Sequence, residues 1–157
     1  LYELLDLVEE SEFVYILETN GMTLGDDAAF AKSLTTYKNL HVRVSIKGCN
    51  PEEFHRLTGA RASAYELPFK ALQHLIDAGV SCNACVSVSF SDAEGIKSVE
   101  KKLESMHPGI LRSLELERIK LFPKVRKRLS AEGLIANRGV SCAIKDAVHK
   151  EVNTFSL

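Results

Sequence analysis

The sequence predicts an α/β domain built on a parallel sheet of about four β/α units. Three observations predict it. Apolar runs at Phe13 to Leu17, His41 to Lys47, Val80 to Ser89 and Ser113 to Leu121 alternate with stretches whose apolar residues recur at helical spacing. The connections between these stretches are tight, which favours a parallel sheet with right-handed crossovers. Two runs, Leu17-Glu18-Thr19-Asn20-Gly21 and Val42-Arg43-Val44-Ser45-Ile46-Lys47-Gly48, end in polar residues at a turn. Strands of a parallel barrel present their chemistry at their carboxyl ends in this way. Four strands are too few for a complete eight-fold barrel.

Each element has a local reason. Leu1 to Glu10 carries apolar residues at positions 1, 4, 5 and 8, a helical stripe. Phe13 to Leu17 is aromatic and β-branched, hence strand. After Gly21 and Gly25, Asp26 is placed to cap a helix through Ala28, Phe30, Ala31 and Leu34 to about Tyr37. His41 to Lys47 alternates. Pro51 opens the next helix, with acidic residues in its positive first turn, and Gly59 ends it. Ser63 and Glu66 have capping-box spacing ahead of the face formed by Leu72, Leu75 and Ile76, which Gly79 closes. Pro68 requires that the regular helix start near Leu67 or that its first turn be distorted. The strand Val80 to Ser89, an Asp92-capped helix through Val99 and Leu103, the strand Ser113 to Leu121 and a Pro123-led helix to about Leu129 follow. Residues 1–130 therefore read as the barrel-type unit, and 131–157 as a tail with one short helix from Val140 to Lys150.

Bulk properties narrow the function. A chain of 157 residues can bury a real core, roughly 70% of its unfolded surface. Lys plus Arg number 20 against 21 for Asp plus Glu, so no net field draws in nucleic acid or an acidic membrane. The basic cluster Lys124 to Arg128 reads as a solvated helix face. No apolar run approaches the ~20 residues of a membrane span, and no signal peptide is visible. The first residue is Leu1, already inside a helical pattern, so the chain reads as a piece of a larger protein.

The cysteines are Cys49, Cys82, Cys85 and Cys142. Cys82 and Cys85 form a CxxC, but on a strand residues three apart point to opposite faces and cannot pinch one metal. Redox pairs of this spacing sit at helix starts, and no second CxxC supplies further zinc ligands. The thiols are expected to be unpaired and reduced, which suits a cytoplasmic location.

The strand faces carry the functional signal. Val42, Val44 and Ile46 share one parity and Arg43, Ser45 and Lys47 the other; likewise Val80, Cys82, Ala84, Val86 and Val88 oppose Ser81, Asn83, Cys85, Ser87 and Ser89. The apolar parity should meet the helices. The polar parity faces either a wet cavity that holds a polar ligand or, in a half-exposed sheet, the solvent. The pattern alone does not choose between them.

Over Tyr15 to Pro123 the chain resembles the C-terminal half of radical S-adenosylmethionine (radical SAM) enzymes, most closely the pyruvate formate-lyase activating enzyme group. Leu17-Glu18-Thr19-Asn20-Gly21 resembles that group's Asp-Thr-Asn-Gly strand end. Val42 to Gly48, with Asn50, Phe54-His55 and Leu57-Thr58-Gly59, resembles its Leu-Asp-Leu-Lys strand and following helix. Gly79 to Phe90, Ser91-Asp92 and Leu116 to Pro123 follow in the same order, so the likeness covers about two thirds of the chain. It implies a partial (β/α)6 TIM-like barrel of which this chain holds strands three to six. It also implies S-adenosylmethionine and a 4Fe-4S cluster in the full-length parent, an oxidoreductase that generates a 5′-deoxyadenosyl radical. The CxxxCxxC motif that binds the cluster is absent from the sequence, so the isolated chain is expected to be inactive.

The resemblance also implies site residues. Glu18 stands where relatives place an acid near the cofactor or an associated cation, and Thr19 is its neighbour. Ser45 takes the place of an Asp and lies near the cofactor ribose and amino group. Lys47 matches a lysine that faces cofactor and substrate, and its flexible ammonium suits a carboxylate. Glu18 and Lys47 could instead pair with each other. Two departures matter: Ser45 removes a carboxylate from a two-carboxylate cation site, and Val125 stands near the position of a substrate-facing His. No catalytic or metal-ligating residue is assigned.

Two other readings stand beside this one. The chain could be a non-catalytic scaffold or binding domain derived from a β/α barrel, or a lyase or aldolase with Lys47 forming a Schiff base. No nucleic-acid or membrane partner is indicated, and the substrate stays open. Without the preceding strands, the Phe13 to Leu17 strand would present an unpaired apolar edge, and self-association through it or through the exposed inner face is expected.

Overall fold

Alternation in His41 to Lys47 becomes geometry in the computed structural model, which describes residues 1–137 and 139–141. Strand β2 (Leu40–Lys47) buries every second side chain: Leu40, Val42, Val44 and Ile46 are buried and the residues between them half-buried. It pairs in parallel with β1 (Tyr15–Thr19) on one side and β3 (Cys82–Ser87) on the other, and β4 (Glu115–Glu117) completes the sheet. The order is β1-β2-β3-β4. Each new strand is thus laid beside the last, in one direction, with no reversal.

Seven α-helices occur among the described residues: α1 (Tyr2–Glu9), α2 (Met22–Asp26), α3 (Ala28–Ser33), α4 (Pro51–Thr58), α5 (Leu67–Ala78), α6 (Ala93–Met106) and α7 (Pro123–Ala131). The core lies between the apolar strand face and these helices. Val42, Val44, Ile46, Ala84, Val86 and Val88 meet Leu24, Leu34, Phe54, Leu72, Leu75, Val99 and Leu103 there. Fully burying a side chain of this kind stabilises by roughly 1.5–3 kcal/mol, so the apolar parity fixes which sheet face the helices cover. No helix among the described residues is long and apolar enough to cross a membrane.

Several local expectations hold. Asp92 caps α6 by accepting from the Gly95 N–H at 2.7 Å, Pro51 opens α4, and Gly59 and Gly79 end their helices in left-handed geometry. The regular helix with Pro68 in its first turn does start at Leu67. Helix α7 buries none of its residues, as its basic face requires.

Other boundaries move, each for a physical reason. The first strand is Tyr15–Thr19 rather than Phe13 to Leu17, because Tyr15 N–H donates to Asn39 O, just ahead of β2, and the ladder starts there. Gly21, at φ +73, starts the extra turn α2, so Asp26 ends that helix and Asp27 caps the next by accepting from Ala29 N–H. Ser63 and Glu66 do not form a capping box: Ala62–Glu66 is a 3-10 helix, and Glu66 pairs with Lys102 at 2.6 Å. The third strand is shorter than Val80 to Ser89.

The expected Ser113 to Leu121 strand divides. Ile110–Ser113 is a 3-10 turn, β4 stays in the sheet, and β5 (Lys120–Leu121) leaves it to pair with β6 (Val140–Ser141). Hence Val140 and Ser141 are strand and not the start of a helix; the rest of the Val140 to Lys150 expectation lies outside the described residues. Parallel pairing with β5 is what brings residues 140–141 back to the unit.

Candidate functional site

The polar strand face is built by register. Glu18, Arg43 and Asn83 stand abreast on β1, β2 and β3; one pleat on, Ser45, Cys85 and Glu115 are abreast, and then Lys47, Ser87 and Glu117. Period-two geometry puts all nine side chains on the side away from the helices.

Arg43 organises this face. Its guanidinium donates to Glu18 at 2.6 Å, to Glu115 at 2.8 and 3.1 Å, to Glu117 at 3.0 Å and to the Cys85 sulfur at 2.9 Å. One side chain on β2 therefore ties β1 to β4 over the top of β3. The planar fork with five donors makes this possible, and a lysine ammonium could not span the same acceptors. Hydrogen bonds from Arg43, with Asn83 second, hold the Glu115 carboxyl below the usual carboxylate range. Burial pushes Glu117 upward, but Arg43 and Lys47 outweigh it and its carboxyl also ends below that range. The carboxylates in turn raise the Arg43 guanidinium further above its ordinary value.

A polar chain continues from this centre. Asn83 donates to Glu115 at 2.8 Å and to Ser113 O at 3.1 Å, so its amide oxygen faces His41 Nε2 at 3.0 Å. Nε2 then carries a proton, and Nδ1 lies 2.8 Å from Ser81 Oγ. At the other end, Lys47 Nζ lies 3.2 Å from Ser87 Oγ and 3.5 Å from Glu117. This loose pair, Lys47 and Glu117 each about 40% exposed, borders a cavity of about 380 Å³ that Ser89, Phe90 and Ile119 also line. Opposite charges and a hydroxyl thus face one opening at the carboxyl ends of β2, β3 and β4.

The loops at these strand ends are pinned. Gly48 turns the chain at φ +83, and a Cβ there would stand 2.9 Å from Glu53 Cγ. The nearly buried Glu53 carboxylate accepts from Cys49 N–H at 3.1 Å and from Ser91 Oγ at 2.8 Å, joining the loop after β2 to the loop after β3. Ser89 Oγ accepts from Ile119 N–H at 2.7 Å and fixes the exit of β4.

Of the four site residues expected from sequence, Glu18, Ser45 and Lys47 share the polar face. Thr19 does not: it is abreast of Val44, on the helix side, and its hydroxyl accepts from Gly21 N–H at 3.1 Å. The alternative pairing of Glu18 with Lys47 is replaced by Glu18–Arg43 and Lys47–Glu117, since Arg43 is directly abreast of Glu18 and Lys47 is two pleats further on. Arg43, Asn83, Glu115 and Glu117 were missed as site residues. A signal existed, because Glu115-Leu116-Glu117 puts both acids on one strand face.

The CxxC thiols point to opposite faces, Cys85 under Arg43 and Cys82 toward the core on the helix side. Burial pushes Cys85 up to about 12, with Glu117 adding to it, and Cys82 up to about 11. Cys49, Cys82 and Cys85 are free thiols. Among the described residues, no three His, Cys, Asp or Glu side chains converge as a metal site. Comparison of the chain with protein-family models, curated proteins and solved structures finds no match.

Proposed function

We propose that this chain is the cofactor- and substrate-facing half of a radical SAM-type partial (β/α)6 barrel. The observation that carries the reading is the union of an unreversed β1-β2-β3-β4 order with a polar face opposite the helices. A doubly wound sheet reverses its strand order at the ligand site; a barrel adds strands in one direction. A closed, filled barrel would bear branched apolar side chains on its inner face, whereas Arg43, Ser45, Lys47, Asn83, Ser87 and Glu117 stand here.

The donor set fits a ligand with both charges and hydroxyls. Lys47 suits a carboxylate, Glu117 an ammonium, and Ser45 and Ser87 offer hydroxyls to a ribose. Glu18 is left to hold Arg43, and Thr19 takes no part. In the longer protein the cofactor would supply the radical chemistry, while this chain binds, orients and excludes water. Alone it does not turn over.

One observation favours the scaffold reading: Arg43 is saturated by carboxylates and braces all four strands. Titrating S-adenosylmethionine into the isotope-labelled chain and following backbone amide resonances separates the two. The cofactor reading expects shifts at Ser45, Lys47, Ser87 and Glu117 that weaken in Lys47→Gln. A millimolar titration that moves none of them overturns it. Reconstitution with iron and sulfide should give no cluster absorption, and a stoichiometric 4Fe-4S centre would contradict the half-site assignment.

A further inference from the structure

We propose that the exposed basic face of α7 docks an acidic polypeptide segment of a partner protein. The inference concerns the outer surface of the unit and stands apart from what the polar strand face binds. Residues 118–131 carry six cations, Arg118, Lys120, Lys124, Arg126, Lys127 and Arg128, and no acid. The chain as a whole has a net charge of -1, so positive charge is gathered here against an acidic remainder. Lys124, Lys127 and Arg128 stand at i, i+3 and i+4 of α7, on one face, and all three are exposed. Among the described residues, none of these three, nor Arg118 or Lys120, forms an ion pair. Residues 142–157 carry two acids against two lysines and hold no acidic run that would neutralise the face.

The helix carries these charges against its own stability. Like charges at i and i+4 repel, and a lysine in the first turn opposes the positive end of the helix. No acid stands in the first turn of α7, no side chain caps it, and none of its residues is buried. Departures from local rules that nothing in the fold offsets are expected at functional positions. A bound run of carboxylates relieves both repulsions. The chemistry also selects the class of anion. Phe122 is the only aromatic residue in 118–131, so successive nucleic-acid bases find no stacking ladder. Val125 and Leu129, the large apolar residues of α7, are half-buried, so the helix offers no apolar face to insert into a lipid surface. The acidic remainder of the chain repels a long polyanion more than a short carboxylate segment confined to this face. Phe122, 39% exposed at the N-cap of α7, gives such a segment one apolar contact.

Fluorescence anisotropy with fluorescein-labelled octaglutamate reads the interaction on the whole chain. Octaglutamate should bind at low salt and be released as ionic strength rises; no binding at low salt overturns the proposal. The double variant Lys124→Glu with Lys127→Glu should bind at least about tenfold more weakly, since it sets like charges against the probe. Lys32→Glu with Lys97→Glu makes the same charge change on exposed lysines elsewhere and should bind like the parent chain. Equal weakening in both pairs overturns the face as a site. A thymidine octanucleotide, or a phosphatidylserine vesicle, that binds as tightly as octaglutamate overturns the polypeptide assignment. Stability separates docking from a structural role. Lys124→Glu places an acid in the first turn of α7, three and four residues ahead of Lys127 and Arg128. Its melting temperature should equal or exceed that of the parent chain while its affinity for octaglutamate falls. A lower melting temperature shows that Lys124 serves the fold and overturns the proposal.

Discussion

Arg43→Met is the perturbation that bears most directly on the polar face. Methionine keeps the apolar length of the side chain and removes every donor. Of the carboxylates Glu18, Glu115 and Glu117, Glu117 then keeps its ion pair with Lys47, and among the described residues Glu18 and Glu115 keep none. The Arg43 side chain is 15% exposed, but its partners are 67%, 50% and 39% exposed, so water screens each pair. Exposed pairs contribute about 0–1 kcal/mol each. Breaking a fully buried pair costs about 3–5 kcal/mol. A buried centre with hydrated partners lies between, and we expect a loss of about 2 kcal/mol at neutral pH. For a domain of this size that lowers the melting temperature by roughly 4–8 °C.

The pH dependence carries the sign. Folding depresses the Glu115 and Glu117 carboxyls below their ordinary value of 4.5, so their stabilisation is fully present above that value. It is lost as pH falls through the depressed folded values. Arg43→Met removes the cause of that depression, so its deficit should be greatest at neutral pH and shrink in acid. Urea unfolding followed by circular dichroism at pH 7 and at acid pH reads both quantities. An unchanged midpoint at pH 7, or a deficit equally large in acid, would refute the network as a source of stability. Arg43→Lys should recover only part of the loss, because an ammonium cannot reach β1 and β4 together.

Two further outcomes test the frame around the site. Gly25→Ala would place a Cβ 2.0 Å from Leu67 O and 2.7 Å from Leu67 C, both backbone atoms at the start of α5. That contact forces α2 and α5 apart, and thermal unfolding should report a loss of about 1–3 kcal/mol, the range typical of overpacking; a melting temperature equal to that of the parent chain would exclude the close approach. Cys49 and Cys85 are buried, and burial raises the Cys49, Cys82 and Cys85 thiols. Alkylation of these three at neutral pH should be slow in the folded chain and fast in urea, as read by peptide mass spectrometry, and fast labelling of Cys85 without urea would contradict its place beneath Arg43.

Helix and strand order were legible because each element carries a local signal: alternation in His41 to Lys47, the Pro51 start and the Asp92 cap, and stops at Gly59 and Gly79. The division of the faces was legible too, since parity along a strand is a property of the chain itself. Boundaries that depend on a neighbour were not. Tyr15 starts β1 because Asn39 is there to accept its N–H, and the Ser113 to Leu121 run divides because residues 120–121 pair with 140–141.

For the polar strand ends the same distinction holds. The sequence by itself determined that Arg43, Ser45 and Lys47 share one side of their strand, and that Cys82 and Cys85 cannot share a metal. Only the tertiary structure decided that Thr19 turns to the helix side, that Glu18 answers to Arg43, and that Lys47 answers to Glu117 seventy residues away. Parity is set within one strand, but an ion pair across a sheet is set by register between strands. Register depends on packing against helices and turns that the local sequence does not encode.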